Sequence, residues 1–282
     1  MNKIIIFLAI IMNTFCVFSN ILKTTDFIEI IKNIESCDEN ALVIFDNDNI
    51  ITTPVDSILQ PQNRKMLKLL EDKLLFSKET SVEEFIKFQS IILKERKLKI
   101  INPQIRKIIL NLQSRNIKVL LLTNCFTGSY GKISHYEELL YSQLKTRKID
   151  FKLSWKYLNN YSFVNLPMRS SKTFKTEKNH PTFFNGMLLT NSSDKGNVLD
   201  AFLSYSKIKP TKIIYLDDKN KHLNTVKNIS NNFGIPFLGI QYYNSMSNNA
   251  IANKDIAKIQ VQILKKESRW ISEKEAEKFI NK

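Results

Sequence analysis

Two aspartates separated by one residue close a run of apolar side chains: Ala41, Leu42, Val43, Ile44 and Phe45 lead into Asp46, Asn47 and Asp48. A carboxylate at the end of a buried strand loses hydration, which is tolerated where it binds a cation or does chemistry. Two further apolar runs end in the same manner. Leu120, Leu121 and Leu122 stop at Thr123 and Asn124, and Ile213, Ile214, Tyr215 and Leu216 stop at Asp217 and Asp218. Lys195 lies in Asp194-Lys195-Gly196, a helix start ahead of the last of these runs. In open α/β sheets ligands bind outside the carboxyl ends of the strands, so these residues are expected to converge on one crevice. Singly, each has a structural explanation: an acid at a strand end can cap the next helix, and a lone lysine is usually solvated. The joint pattern carries the functional reading.

Such convergence needs alternating strands and helices, and the chain supplies the signals. Pro103 suits a first helical position, and Ile105, Ile108, Ile109 and Leu112 fall on one face of the helix it opens. The continuous apolar strand at 118–122 that follows marks a parallel sheet covered on both sides. Val198, Leu199, Phe202 and Leu203 form the apolar face of the helix begun at Asp194. After the strand at 212–216, a helix carrying Leu223, Val226 and Ile229 stops near Gly234 and yields to a short strand at 236–240. Between the Asp46 and Thr123 strands, Ser81 is an N-cap for a helical stretch with Val82, Phe85, Ile86 and Leu93, and residues 71–76 also recur at helical spacing. Residues 126–185 are less regular, with Pro167, Pro181 and a basic segment at 169–180, and suggest loops with a short hairpin. Ser272 and Glu275 form a capping-box pattern opening a last charged helix. The expected organisation is a signal peptide at 1–19, a core from 20–52, 102–125 and 186–282, a helical cap insertion at 53–101 and a second insertion at 126–185.

The 282 residues, 43% of them apolar, suit one domain with a sizeable insertion or two small domains, and exclude a disordered chain. Met1, Asn2 and Lys3 carry the charge ahead of an uninterrupted apolar stretch at 4–12, the layout of a signal peptide cut after Ser19. A membrane span needs roughly 20 apolar residues. Polar Asn13 and Thr14 interrupt this run, so a retained anchor is the lesser reading and no stable span is expected after cleavage. Phe15 stands where a lipidation site at Cys16 requires a small residue. The mature protein is thus expected to be exported, periplasmic or secreted. Cys37 and Cys125 are too few for a disulfide scaffold, and unpaired thiols are favoured over a bridge. The net charge of +15 comes more from lysine than arginine and is spread along the chain. Since arginine is the usual choice for phosphate forks, no nucleic-acid partner is expected. Oligomeric state is not legible.

The apolar strand into Asp46-x-Asp48, the strand ending at Thr123, Lys195 and the strand into Asp217-Asp218, in this order, resemble the motifs of the haloacid dehalogenase (HAD) superfamily of aspartate-nucleophile phosphohydrolases. The resemblance spans roughly 42–240 and implies a Rossmann-like core, a central parallel sheet flanked by helices, with cap insertions. It also implies roles and a Mg²⁺ cofactor. Asp46 is nucleophile and metal ligand; Asp48 is the acid/base group, with its backbone carbonyl on the metal. Thr123 and the Asn124 backbone N–H hold a phosphoryl oxygen, Lys195 neutralises charge, Asp217 binds the metal directly, and Asp218 does so directly or through water. An acid at Asp48 favours phosphoryl transfer over dehalogenation. Asn49 and Ile50 depart from the glycine and threonine or valine usual there, and His222 stands where Asn or Asp is common. His222 is read as a donor supporting the metal loop or as an exposed helix-start histidine. A closer likeness is to the DUF2608 proteins, exported bacterial members of that superfamily, through the export signal, Asp194-Lys195-Gly196, Asp217-Asp218-Lys219 and Trp270-Ile271-Ser272. The implied function is an exported Mg²⁺-dependent phosphatase acting on a small phosphorylated substrate. The competing reading, motivated by the basic charge and His222, is a secreted binding or host-interaction protein that keeps the fold with little turnover.

Overall fold

The computed structural model describes residues 19–76, 80–166, 179–243 and 251–280; the expected signal peptide before Ser19 and most of the basic run at 169–180 lie outside them. The chain opens with β1 (Ser19–Thr24), α1 (Phe27–Glu35) and β2 (Leu42–Phe45). A short strand β3 (Thr52–Pro54), helices α2 (Arg64–Leu74) and α3 (Val82–Glu95), and β4 (Leu98–Ile100) come next. Helix α4 (Pro103–Ser114), β5 (Lys118–Thr123), α5 (Tyr136–Lys145) and a hairpin of strands β6 (Tyr161–Ser162), β7 (Thr182–Phe184) and β8 (Met187–Leu189) continue the chain. It closes with α6 (Lys195–Ser206), β9 (Ile213–Asp217), α7 (Asn220–Asn232), β10 (Phe237–Tyr242), α8 (Lys254–Glu267) and α9 (Glu273–Ile280).

The central sheet has the order β1-β10-β9-β2-β5-β8-β7-β6. From β1 to β8 every pairing is parallel; β7 and β6 add an antiparallel edge. All four residues of β2 are buried, as a central parallel strand covered on both faces requires. Alternation divides the sheet between two apolar clusters. Val43, Phe45, Val119, Leu121, Ile214 and Leu216 pack with α1, α4 and α5 on one face. Leu42, Ile44, Leu120, Leu122, Ile213 and Tyr215 pack with α6 and α7 on the other. The fold is therefore mixed α/β with a mostly parallel sheet flanked by helices, consistent with a Rossmann-like arrangement.

Several local signals act as the sequence suggests. Asn102 caps α4, accepting from the Gln104 N–H at 2.9 Å, and Pro103 is its first residue. Ser81 caps α3 through the Glu84 N–H at 3.2 Å, and Ser272 accepts from the Glu275 N–H at 3.3 Å. Outside the sheet, β3 and β4 pair antiparallel. A separate apolar cluster joins Leu70 of α2 and Phe88, Ile91 and Ile92 of α3 to Ala257, Val261 and Leu264 of α8 and to Trp270. The C-terminal segment thus packs on the helices between β3 and β4. Residues 126–185 contribute α5 and two sheet strands. Cys37 and Cys125 are both free. Among the described residues no helix is long and apolar enough to cross a membrane.

Candidate active site

Adjacent parallel strands bring the first acids together. Phe45 is level with Leu216 and the Asp46 N–H donates to the Leu216 carbonyl at 2.9 Å, so Asp46 and Asp217 leave neighbouring strands side by side. Alternation turns both toward the α6 face, because Ile44 and Tyr215, two residues earlier in each strand, face α6 and α7. Lys195 comes from the first turn of α6, which Asp194 caps by accepting from the Gly196 and Asn197 N–H groups at 2.9 and 3.1 Å. The ammonium lies 2.7 Å from Asp217 Oδ2 and 3.0 Å from Asp46 Oδ1. Lys195 is 2% exposed, so the ion triad is shielded from solvent. Tyr215 completes the network: its hydroxyl accepts from Lys195 Nζ at 2.8 Å and donates to Asp217 Oδ2. On the far side of Asp217, the Lys219 N–H donates to Oδ1 at 2.7 Å, and His222 Nδ1 is 3.1 Å from Oδ2.

The remaining expected residues lie at the same sheet edge in different relations to this network. Asp48 is exposed and accepts from the Asn47 side-chain amide at 3.0 Å. Asn49 has φ +65°, the left-handed conformation that glycine adopts freely and asparagine tolerates, and its amide donates to Asp218 Oδ2 at 3.1 Å. Its departure from glycine thereby ties the Asp48 loop to the acid pair. Asp218 is held by the Asn49 amide and lies against Asp217, and the ligand atoms grouped within 4.8 Å of one another come from Asp46, Asp217 and His222. Thr123 ends β5 beside β2 and is buried. The alternation of β5 continues from Val119 and Leu121 to the opposite face, and the Thr123 hydroxyl is not among the bonds around Lys195. Asn124 Oδ1 accepts from the Thr190 hydroxyl at 3.2 Å and the Ser192 N–H at 3.1 Å, anchoring the loop before α6. With Ser192, Ser193, Lys195, Lys221 and His222 it lines a polar cleft of about 300 Å³. A larger hollow of about 710 Å³, bounded by Leu203, Lys207, Phe233 and Pro236, lies at the amino ends of β9 and β10, away from these groups.

Protonation is uneven. Burial pushes the Asp46 carboxyl up to about 7; Lys195 opposes the rise, and Asp217 and Asp48 add to it. Burial would raise Asp217 too, but Lys195 and then His222 outweigh it and hold that carboxyl well below the usual range. Burial disfavours the Lys195 charge, yet the two carboxylates overcome it and keep the ammonium protonated. Tyr215 is held as a neutral phenol by burial and then by Asp217. Burial, followed by Asp48 and Asp46, raises the Cys125 thiol, so it is no thiolate nucleophile.

Chemically, the site offers a buried carboxylate beside a fixed ammonium that lines a polar cleft, with a second, exposed acid two residues further along the chain. Ligand atoms of Asp46, Asp217 and His222 lie within 4.8 Å of one another, a set whose carboxylates fit a divalent cation. Tyr215 was missing from the sequence-based set. Its signal was a polar tip in an otherwise aliphatic strand, two residues before Asp217 and thus on the same face.

Fold and site define an α/β protein whose mostly parallel sheet gathers a Lys-bridged pair of aspartates at the carboxyl ends of its central strands. The family described as "Protein of unknown function (DUF2608)" matches residues 23–277, and the chain belongs to it. It is similar to "Uncharacterized protein RP296" of Rickettsia prowazekii (strain Madrid E), 23% identical over 285 residues that cover 100% of this chain and 98% of that protein. An "Uncharacterized protein" of Rickettsia bellii (strain RML369-C) is 24% identical over 222 residues, covering 76% of this chain and 73% of that one. No solved structure matches the chain.

Proposed function

We propose that this protein is an exported, Mg²⁺-dependent phosphatase of the HAD type that hydrolyses a small phosphomonoester through an aspartyl-phosphate intermediate. One observation carries the reading: a single buried ammonium stands 3.0 Å from Asp46 and 2.7 Å from Asp217 at the ends of adjacent parallel strands. A carboxylate approaching a phosphoryl group meets like charge, and a preorganised cation offsets it without reorganisation. Asp46 attacks phosphorus, forming the acyl phosphate as the bond to the leaving oxygen breaks. Asp48, exposed two residues beyond Asp46, gives its proton to that alkoxide and then, as carboxylate, takes one from the water that hydrolyses the intermediate and regenerates Asp46. The Asn124 N–H holds a phosphoryl oxygen and Lys195 offsets its charge, while Thr123, expected from the motif to hold a phosphoryl oxygen, is turned by strand alternation to the opposite face of the sheet and is not assigned that contact. Asp46, Asp217 and the Asp48 carbonyl would hold Mg²⁺, with Asp218 directly or through water; when bound the ion supplies charge neutralisation at the phosphoryl group. In this reading residues 53–101 form a helical cap and 126–185 a second insertion that together select the substrate, and the apolar stretch at 4–12 directs export.

The test is release of inorganic phosphate from a generic aryl phosphate. The expected result is turnover that needs Mg²⁺ and falls by at least about a thousandfold in Asp46→Asn, because the attacking group is gone. Metal binding without release from any member of a broad phosphoester panel would instead favour a binding protein.

A further inference from the structure

We propose that His222 is a direct ligand of the site's divalent cation, so that the site binds Mn²⁺ and similar transition-metal dications in preference to Mg²⁺. The inference rests on the metal-dependent reading above and refines which cation the site takes. His222 lies in the first turn of α7, and its side chain is turned inward, only 17% exposed. Ligand atoms of Asp46, Asp217 and His222 all lie within 4.8 Å of one another. Nδ1 is 3.1 and 3.3 Å from the two carboxylate oxygens of Asp217. Two ligands on one metal with bonds of about 2.1 Å stand roughly 3.0 Å apart at a right angle and about 3.4 Å apart at a tetrahedral one, so this edge already has the right length.

The same pocket holds unspent acceptor capacity. Asp46 is 3% exposed, and its Oδ1 has the Lys195 ammonium, 3.0 Å away, as its partner and meets no uncharged donor. Lys195 brings one positive charge to two buried carboxylates, and a dication would supply the charge they lack. The donors then decide which dication. Mg²⁺ prefers oxygen ligands and keeps its waters, whereas an imidazole nitrogen suits Mn²⁺ and the later transition metals. Coordination through Nδ1 puts the ring proton on Nε2.

Electron spin-echo envelope modulation of Mn²⁺ added to the full-length protein tests this. The expected spectrum has ¹⁴N modulation from one directly bound imidazole, and His222→Gln abolishes it. That variant should bind Mn²⁺ about ten- to a hundredfold more weakly while its Mg²⁺ affinity changes by less than about threefold. Bound Mn²⁺ with no directly coupled nitrogen in the unaltered protein would overturn the ligation and leave the phosphatase reading standing; this arm needs no variant to fold. Coupling that persists in His222→Gln would likewise overturn it. Failure to bind Mn²⁺ at all would overturn it too, and phosphate release with Mg²⁺ from the same preparation then shows whether the underlying reading falls as well.

Discussion

Lys195 faces two carboxylates that differ in how they are paid attention by their neighbours: Asp217 receives Tyr215, the Lys219 N–H and the His222 ring, whereas Asp46 has the ammonium alone as an ion partner. That imbalance is why burial wins at Asp46 and loses at Asp217. It has a consequence for stability in metal-free protein. With its carboxyl pushed up to about 7, folded Asp46 holds a proton that the unfolded chain has released. The stability from this group is therefore complete below the ordinary aspartate range and lost as pH rises through about 7. Asp46→Asn should stabilise the metal-free protein by about 1–3 kcal/mol at pH near 8 and have little effect near pH 4. Chemical denaturation in a chelator measures this, and excess Mg²⁺ should reverse the order by stabilising only the unsubstituted protein. An Asp46→Asn variant less stable than the parent at the higher pH would count against the assignment. Tyr215→Phe removes a donor to Asp217 and an acceptor from Lys195, and should lower stability by about 1–3 kcal/mol. A melting curve indistinguishable from the parent would show that the network does not depend on the phenol. At this scale the strand-end acids were legible because a polar residue closing an apolar run is conspicuous, and Lys195 because it opens a helix just ahead of such a run. Tyr215 was not singled out, and His222 stood between a donor to the loop and an exposed helix-start residue, since whether such a histidine points inward depends on how α6 and α7 pack.

Between elements, the contact that matters most for the site is α6 against α7. A Cβ on Gly196 would stand 2.6 Å from the Thr225 carbonyl, so only glycine allows this approach next to Lys195. Gly196→Ala should cost about 1–3 kcal/mol and displace Lys195, reducing turnover more than substrate affinity. Steady-state kinetics with a melting curve checks both, and a variant with the parent's kcat would show that the close approach does not set the lysine's position. Strands β5 and β9 and helices α4 and α6 were readable because long apolar runs and 3.6-residue periodicity agree with buried, doubly covered positions. The expectations omitted β1, α1 and α8. Strand β1 is a half-exposed edge of mixed polarity, so neither alternation nor hydropathy distinguishes it, and it is held by pairing with β10. The helix expected at 71–76 starts earlier, at Arg64; Met66, Leu67, Leu70 and Leu74 recur at helical spacing against the cluster shared with α3 and α8, so the periodic signal begins before residue 71.

Across the whole molecule, the C-terminal segment is fastened to a part of the chain more than two hundred positions away. Trp270 Nε1 donates to Asp56 Oδ2 at 3.0 Å, the Glu273 N–H donates to Asp56 Oδ1 at 2.8 Å, and Ser57 donates through its N–H and hydroxyl to Glu273. Asp56 is 2% exposed and Trp270 is buried in the cluster of α2, α3 and α8. Trp270→Ala should therefore destabilise by about 3–5 kcal/mol, through lost packing and an unpaired carboxylate oxygen. Hydrogen exchange should show the loss concentrated in α2, α3 and α8, and an effect confined to 270–280 would contradict this coupling. Such long-range fastening is invisible to periodicity, which reports faces but not partners. The most direct measurement of the central claim, that Asp46 is the phosphoryl acceptor, is a crystal structure with Mg²⁺ and beryllium fluoride. Beryllium should be bonded to an Asp46 carboxylate oxygen, with Lys195 against its fluorides and the cation between Asp46 and Asp217. Beryllium fluoride absent from Asp46, with the cation bound or not, would contradict it.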